Sequence, residues 1–180
     1  LWDERLEEPE EALSWYRKAR ATKPRDRETL GALARLLSPE EDAAELFAVL
    51  EVMKDQSSDS KEQVRLQMRR AALAAGPLAK GNEAVDLYRE VLAADPEQSE
   101  ASRALEDLYE SQSRWEELAK HLEAQVQEER EEKEVLRLQR KLGLIKGTRL
   151  GSIDEAVASW TEILKRNPND VEALSALREI

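Results

Sequence analysis

The feature that most constrains this chain is a sequence unit that recurs with a 72-residue period. Residues 82–109 repeat residues 10–37 with ten identities in 28 positions, and a third copy starts at residue 154. Pro24, Pro96 and Pro168 occupy the same place in the three copies and are equally spaced. Repetition at a fixed period is typical of architectures in which each unit packs on its neighbours. We therefore expect a linear array of similar units.

The segments between these copies repeat with the same offset, so each 72-residue period holds two different units. Residues 45–46, 50–51, 61–62 and 65–67 return at 117–118, 122–123, 133–134 and 137–139. The predicted units within one solenoid over residues 1–180 are 1–25 (partial), 26–58, 59–97, 98–131, 132–169 and 170–180 (partial). Residues 1–8 are interpreted as the end of a helix, and we expect the chain to be part of a longer array.

Apolar residues recur at helical spacing, and no alternation typical of strands is sustained. The pattern predicts helices over residues 10–22, 26–37, 82–94 and 98–111. Further helices are expected to begin at Pro39, near residues 60 and 132, and after residues 113 and 152. Four serine motifs predict capping boxes at these starts: Ser38 with Glu41, Ser60 with Gln63, Ser113 with Glu116, and Ser152 with Glu155. The chain is predicted to be all-α.

Composition limits the functions open to such an array. The net charge of −11 repels nucleic acid and anionic membrane surfaces. No apolar run is long enough to span a membrane, and the first residues lack a signal-peptide layout, which favours the cytoplasm. The chain has no cysteine and a single histidine, His121, interpreted as an ordinary, partly exposed helix residue. No metal or phosphate motif is present, so we predict no cofactor and no enzymatic activity.

Glycines and aromatic residues at repeating places are predicted to serve packing. Gly143 and Gly147 are expected to allow close helix contact before a loosened helix end at Gly151. Tyr88 is predicted to lie in the core. Trp15, Trp115 and Trp160 are expected to pack between repeats, although Trp15 lies beside the apolar stripe of its helix and is the best candidate for a surface anchor.

A pattern of alanine, aromatic residue, aliphatic or small residue and proline occurs in all three copies. Its members are Ala12, Tyr16, Ala19 and Pro24; Ala84, Tyr88, Val91 and Pro96; and Ala156, Trp160, Ile163 and Pro168. This spacing resembles the second helix of a tetratricopeptide repeat (TPR). The corresponding first helices have lost the Trp and Gly of the family pattern. The resemblance implies a right-handed superhelix whose first helices line a concave, partner-binding groove.

Two basic stripes are the most distinctive polar feature of the predicted first helices. Residues four apart share one side of a helix. The first basic stripe is Lys61, Arg65 and Arg69, and the second is Lys133, Arg137 and Lys141. They are interpreted either as partner-binding residues or as local ion-pair partners of the acidic excess. Glu28, Glu100, Arg103 and Asp107 lie on other first helices and are predicted to make the groove alternate in charge.

These features favour a protein-binding scaffold over other functions. The expected partner is a peptide or protein segment of mixed charge. The amide and lysine positions that clamp an acidic C-terminus in some TPR proteins are not matched at Gly31, Arg35, Arg103, Asp107, Ser175 and Glu179, so that function is not predicted. The alternative is a structural spacer or a self-assembling segment in which the groove has no ligand.

Overall fold

A computed structural model describes residues 9–180, so the helix end predicted for residues 1–8 lies outside the described residues. The described chain forms ten α-helices and no strand. They are α1 (Pro9–Thr22), α2 (Arg27–Leu36), α3 (Ala43–Gln56), α4 (Ser60–Ala75), α5 (Gly81–Ala94), α6 (Ser99–Ser111), α7 (Trp115–Glu128), α8 (Glu132–Thr148), α9 (Ile153–Arg166) and α10 (Val171–Glu179). The connections run from three residues (57–59) to six (37–42). The protein is therefore an all-α helical repeat.

The 72-residue period of the sequence is present in the helices themselves. Helices α1, α5 and α9 begin at Pro9, Gly81 and Ile153, and each has 14 residues. The starts of α2, α6 and α10 have the same offset, as do those of α3 and α7 and of α4 and α8. The borders of the six predicted repeat units remain a prediction.

The helix predicted to begin at Pro39 begins four residues later, at Ala43. Half of the capping box does form, because the Ser38 hydroxyl accepts from the backbone N–H of Glu41 at 3.2 Å. It closes only an isolated turn, however, over which the N–H of Asp42 donates to the Ser38 carbonyl at 2.9 Å. The Asp42 carboxylate is also bound by Arg17 of α1 at 2.6 Å, so a tertiary ion pair holds this turn.

The other three serine motifs do not cap their helices as predicted. Ser60 is the first residue of α4, and Asp59 caps that helix by accepting from the N–H of Lys61 at 3.0 Å. Ser113 has a φ of 56° and its N–H donates to Glu110, so it belongs to the end of α6. Ser152 stands at the N-cap of α9 but makes no side-chain cap bond.

Two further aspartates are caps that the serine motifs did not predict. Asp26 accepts from the N–H of Thr29 at 3.0 Å, and Asp170 accepts from that of Ala173 at 3.1 Å. Hydrogen bonds from the N–H and the hydroxyl of Thr29 lower the pKa of Asp26, with the N–H making the larger contribution. The two residues are two 72-residue periods apart, so the cap of α2 recurs at α10.

Contacts divide the described residues into two compact units, unit 1 up to Leu108 and unit 2 from Tyr109 to Ile180. In unit 1, α2 packs against α1 and α3, and α4 packs against α3 and α5. Its core consists of aliphatic side chains from these helices and includes Leu30, Leu33, Leu46, Leu50, Leu66 and Val91. Tyr88 is 5% exposed, which confirms its prediction as a core residue.

In unit 2, α8 packs against α7 and α9, and α9 packs against α10. Trp160 of α9 is buried beside Gly143 of α8, where an added Cβ would lie only 2.8 Å from Cε2 of the indole. The predicted need for a small residue is thereby confirmed. Gly151 has a φ of 65°, which accounts for a glycine where the chain leaves α8.

Candidate functional site

A cavity of about 360 Å³ lies in unit 1 on the side of α4 that carries the first basic stripe. Helix α4 provides six of the lining residues, and α5, the α5–α6 connection and the first turn of α6 provide one each. They are Lys61, Val64, Arg65, Met68, Arg69, Ala72, Tyr88, Gln98 and Glu100. The cavity thus brings together four residues predicted to bind a partner, namely the whole first basic stripe and Glu100.

The geometry of α4 explains how its residues divide between cavity and core. Leu66 and Leu73 are buried on the packed side. Residues 61, 65, 68 and 72 are three or four apart and therefore line the other side of the same helix. Lys61 and Arg65 are exposed, and Arg69 is half-buried.

Two cations of the first basic stripe have acceptors on the protein. The guanidinium of Arg65 binds Glu62 on its own helix, with Nη2 2.7 Å from Oε1. This hydrogen bond lowers the pKa of Glu62 and raises that of Arg65. Arg69 donates from Nη2 to the carbonyl of Ala34 at 3.0 Å, and burial lowers its pKa, with a further contribution from the charge of Arg65.

The remaining wall of the cavity is aromatic and polar. Tyr88 has a raised pKa, chiefly because of burial and also because of the charge of Glu100. Gln98 is held in place, since its Nε2 donates to Asp95 at 2.9 Å. Glu100 is exposed in the first turn of α6. The cavity therefore offers cations, one carboxylate and the apolar surface of Met68, Val64 and Ala72.

The second basic stripe lies on α8 in unit 2 and makes ion pairs within that unit. Arg137 binds Glu134 at 2.7 Å, which repeats the pair of Arg65 and Glu62 at the 72-residue offset. Lys141 binds Glu110 at 2.6 Å, and Lys133 is exposed. Local pairing, one of the two interpretations of the stripes, is thus present at Arg65, Arg137 and Lys141.

Arg140 of α8 joins two acidic residues at the start of α10. Its guanidinium forms ion pairs with the buried carboxylate of Asp170 and, from Nε at 3.2 Å, with Glu172. The hydrogen bond from Arg140 is the largest cause of a lowered pKa at Asp170, followed by the bond from the N–H of Ala173. This cluster was not predicted, although the change from Met68 to Arg140 at one repeat position was visible in the sequence.

The other predicted partner-binding residues lie elsewhere on unit 1. Glu28 on α2 and both Arg103 and Asp107 on α6 are exposed, and these three do not line the cavity. Sequence reasoning also missed Met68 and Gln98 as lining residues. The signal for Met68 was its position on the same side of α4 as Lys61 and Arg65, whereas the position of Gln98 depends on how the α5–α6 connection folds.

The remaining aromatic and histidine residues differ in exposure. Trp15 is 67% exposed, with the ammonium of Lys18 5.0 Å from its ring centre, whereas Trp115 is partly buried beneath Arg149. His121 is partly buried and contacts Gln125 at 2.7 Å. Across residues 9–180, no helix is both long and apolar enough to cross a membrane, and no three His, Asp or Glu residues are arranged to hold a metal ion.

Comparison with known proteins gives matches among solved structures. No protein-family model matches the chain, and no curated protein does. YrrB, described as a TPR protein with an unusual peptide-binding site, superposes with a TM-score of 0.53 and 13% identity over 94% of this chain and 84% of its own. MamA superposes with a TM-score of 0.54 and 16% identity over 95% of this chain and 90% of its own. PilF of Pseudomonas aeruginosa superposes with a TM-score of 0.51 and 17% identity over 96% of this chain and 75% of its own. The chain has the fold of tetratricopeptide repeat proteins.

Proposed function

We propose that the protein is a non-catalytic scaffold that binds a segment of another protein in the cavity of unit 1. The observation that carries this proposal is the cavity itself, in which the first basic stripe, Glu100, Met68 and Tyr88 meet. Apolar surface with a few placed polar groups is what a recognition pocket requires. A segment of mixed charge fits this lining, because the cations and Glu100 can each meet an opposite charge.

Salt should weaken such binding. Lys61 and Arg65 are exposed, and ions screen exposed charges over about 8 Å at physiological ionic strength. Charged groups of this kind also set specificity and association rate more than they set affinity. A cavity of about 360 Å³ accommodates a few side chains and not a folded domain, so the bound element is a short segment of the partner.

The test is capture of a partner by the tagged protein, followed by comparison of matched variants. Arg65→Gln combined with Arg69→Gln should lose the captured protein, whereas Arg25→Gln, which removes an exposed cation outside the cavity lining, should retain it. Calorimetry with the purified partner should show at least several-fold weaker binding in 0.5 M salt. The proposal is wrong if every captured protein binds the double variant and the control equally.

Self-association is a second candidate, favoured by the exposed apolar face of α10. Val171 is 79% exposed and Leu174 is 49% exposed, whereas Leu30, which precedes Leu174 by two periods, is fully buried. Light scattering over a concentration series would reveal such assembly. A monomer at all concentrations, together with an unchanged profile for Leu174→Ser, would exclude it.

A further inference from the structure

Two residues that line the cavity of unit 1, and one residue that does not, have charged counterparts in unit 2. At the 72-residue offset, Met68, Gln98 and Ser38 of unit 1 correspond to Arg140, Asp170 and Glu110 of unit 2. The cations of the two basic stripes are otherwise kept. Two carboxylates and one cation of unit 2 are therefore replaced by uncharged side chains in unit 1.

In unit 2 the charges at these positions form ion pairs. Arg140 binds both the buried Asp170 and Glu172, and Lys141 binds Glu110. Since Glu172 corresponds to Glu100 and Asp170 to Gln98, the Arg140 guanidinium bridges the residues whose counterparts border the cavity of unit 1. An arginine of the protein itself thus occupies the equivalent position in unit 2.

Among the described residues of unit 1, the position of Arg140 is taken by Met68, which cannot form ion pairs. The counterpart of Asp170 is Gln98, which carries no charge. The residue at the place of Glu110 is Ser38, while Arg69 donates instead to the carbonyl of Ala34. Lys61, Arg65, Arg69 and Glu100 line the cavity. With Glu62 bound to Arg65, these groups leave a surplus of one positive charge.

We propose that the two basic stripes are unequal, and that only the unit 1 cavity receives a partner, through an aspartate or glutamate side chain of the bound segment. This proposal rests on the proposed function and names its chemistry. Charge-assisted bonds from Lys61 and Arg69 hold the carboxylate. Met68 and Tyr88 provide the apolar surface for the methylene groups of that side chain. In unit 2, Arg140 with Asp170 and Glu172 keeps the equivalent position occupied.

The net charge of −11 restricts the probe that can reveal this preference, because a strongly acidic peptide is repelled at long range. A suitable probe is an eight-residue peptide with two central glutamates and a lysine at each end, acetylated and amidated so that its net charge is zero. The matched probe has glutamine in place of both glutamates. Amidation removes the C-terminal carboxylate, so binding reports the side chains alone.

Addition of the glutamate peptide, followed by backbone and side-chain NMR, should shift the signals of Lys61, Arg69 and Tyr88. The signals of Lys133 and Arg137 should not change. The glutamine probe should bind at least tenfold more weakly. Met68→Arg with Gln98→Asp, which gives unit 1 the charged pair of its counterpart, should reduce affinity at least tenfold. Arg140→Met with Asp170→Gln should instead create a second binding position, seen as new shifts around Lys133 and Arg137.

Circular dichroism identifies any variant that fails to fold. If the Met68→Arg, Gln98→Asp variant does not fold, Lys61→Gln combined with Arg69→Gln tests for the same loss of peptide affinity without changing Met68 or Gln98. The inference is overturned if the peptide does not bind at millimolar concentration, if the signals near Lys133 and Arg137 shift in the wild type, or if only a peptide with a free C-terminus binds. A captured partner that depends on Arg65 and Arg69 but binds the Met68→Arg, Gln98→Asp variant normally would contradict this inference alone and leave the proposed function standing.

Discussion

The two units contain two versions of one helix arrangement. In unit 1 it consists of α4, α5 and the start of α6, and in unit 2 of α8, α9 and the start of α10. Their helices begin with the same 72-residue offset. One version contains a cavity lined by Met68, and the other contains an ion-pair cluster formed by Arg140. The comparison shows that two repeats can share one backbone arrangement while the polar residues line a cavity in one and form internal ion pairs in the other.

The packed sides of the two versions differ in a complementary way. Tyr88 of unit 1 corresponds to the larger Trp160 of unit 2, and Ala71 of α4 corresponds to Gly143 of α8. All four lie in the buried parts of their units. A larger aromatic residue thus accompanies a smaller helix residue, as close packing of protein interiors requires.

Removal of the aromatic ring should give the largest effect and should be greater in unit 2. Trp160→Ala is expected to cost about 4 kcal/mol and Tyr88→Ala about 3 kcal/mol, because a buried ring leaves a cavity. Urea unfolding of each variant measures the difference, with a check for a second transition because repeat arrays can lose cooperativity. A loss below about 0.5 kcal/mol for Tyr88→Ala, far under the usual cost of truncating a buried aromatic residue, would mean that the ring is not part of the core.

The glycine of unit 2 provides a sharper test of this complementarity. Gly143→Ala should destabilise the protein by about 2 kcal/mol, since overpacking a core typically costs roughly 1–3 kcal/mol and the new Cβ would lie 2.8 Å from the Trp160 ring. Combining it with Trp160→Tyr recreates the pair found in unit 1 and should recover part of the loss. Additive destabilisation in thermal or urea unfolding would contradict the idea of compensating sizes.

The ion pair of unit 2 should make a smaller, pH-dependent contribution. Arg140→Met leaves the buried Asp170 without its guanidinium and should cost about 1 kcal/mol at pH 7. Because the folded pKa of Asp170 is lowered from 3.8, the stabilisation is complete above that value and is lost as the pH falls through the lowered pKa. The difference between wild type and variant in urea unfolding should therefore shrink as the pH falls below 3.8. A constant difference from pH 7 to pH 2 would exclude this linkage.

Substitution of the exposed arginines should have the smallest effect on stability. Arg65→Gln and Arg137→Gln each remove a pair between residues three apart on one helix, and the two arginine side chains are 63% and 47% exposed. Such pairs contribute roughly 0.2–0.5 kcal/mol. Thermal unfolding should therefore be nearly unchanged for both variants. A loss of several kcal/mol would show that these arginines stabilise the fold far more than an exposed ion pair does.

Much of the fold could be predicted because it depends on local pattern. The repeat offset, the helix order and the burial of Tyr88 all follow from apolar spacing and proline positions, and the structure confirms them. The predicted start of α3 was four residues too early. The residues before α3 form a separate turn that the Asp42–Arg17 ion pair holds, and no local motif reveals this pair. The predicted cap at Ser60 failed because Asp59 caps α4 instead. The predicted cap at Ser113 failed because that residue, with a φ of 56°, belongs to the turn that ends α6.

The amino-acid sequence alone predicts an all-α repeat with two basic stripes on equivalent helices. The contacts of those stripes depend on how the helices pack. Arg65 binds a residue of its own helix, Arg69 reaches a carbonyl of α2, and Arg140 reaches the start of α10. The physical reason is that helical periodicity sets the side of a helix on which a residue lies, whereas long charged side chains choose among acceptors that packing brings close from distant parts of the chain.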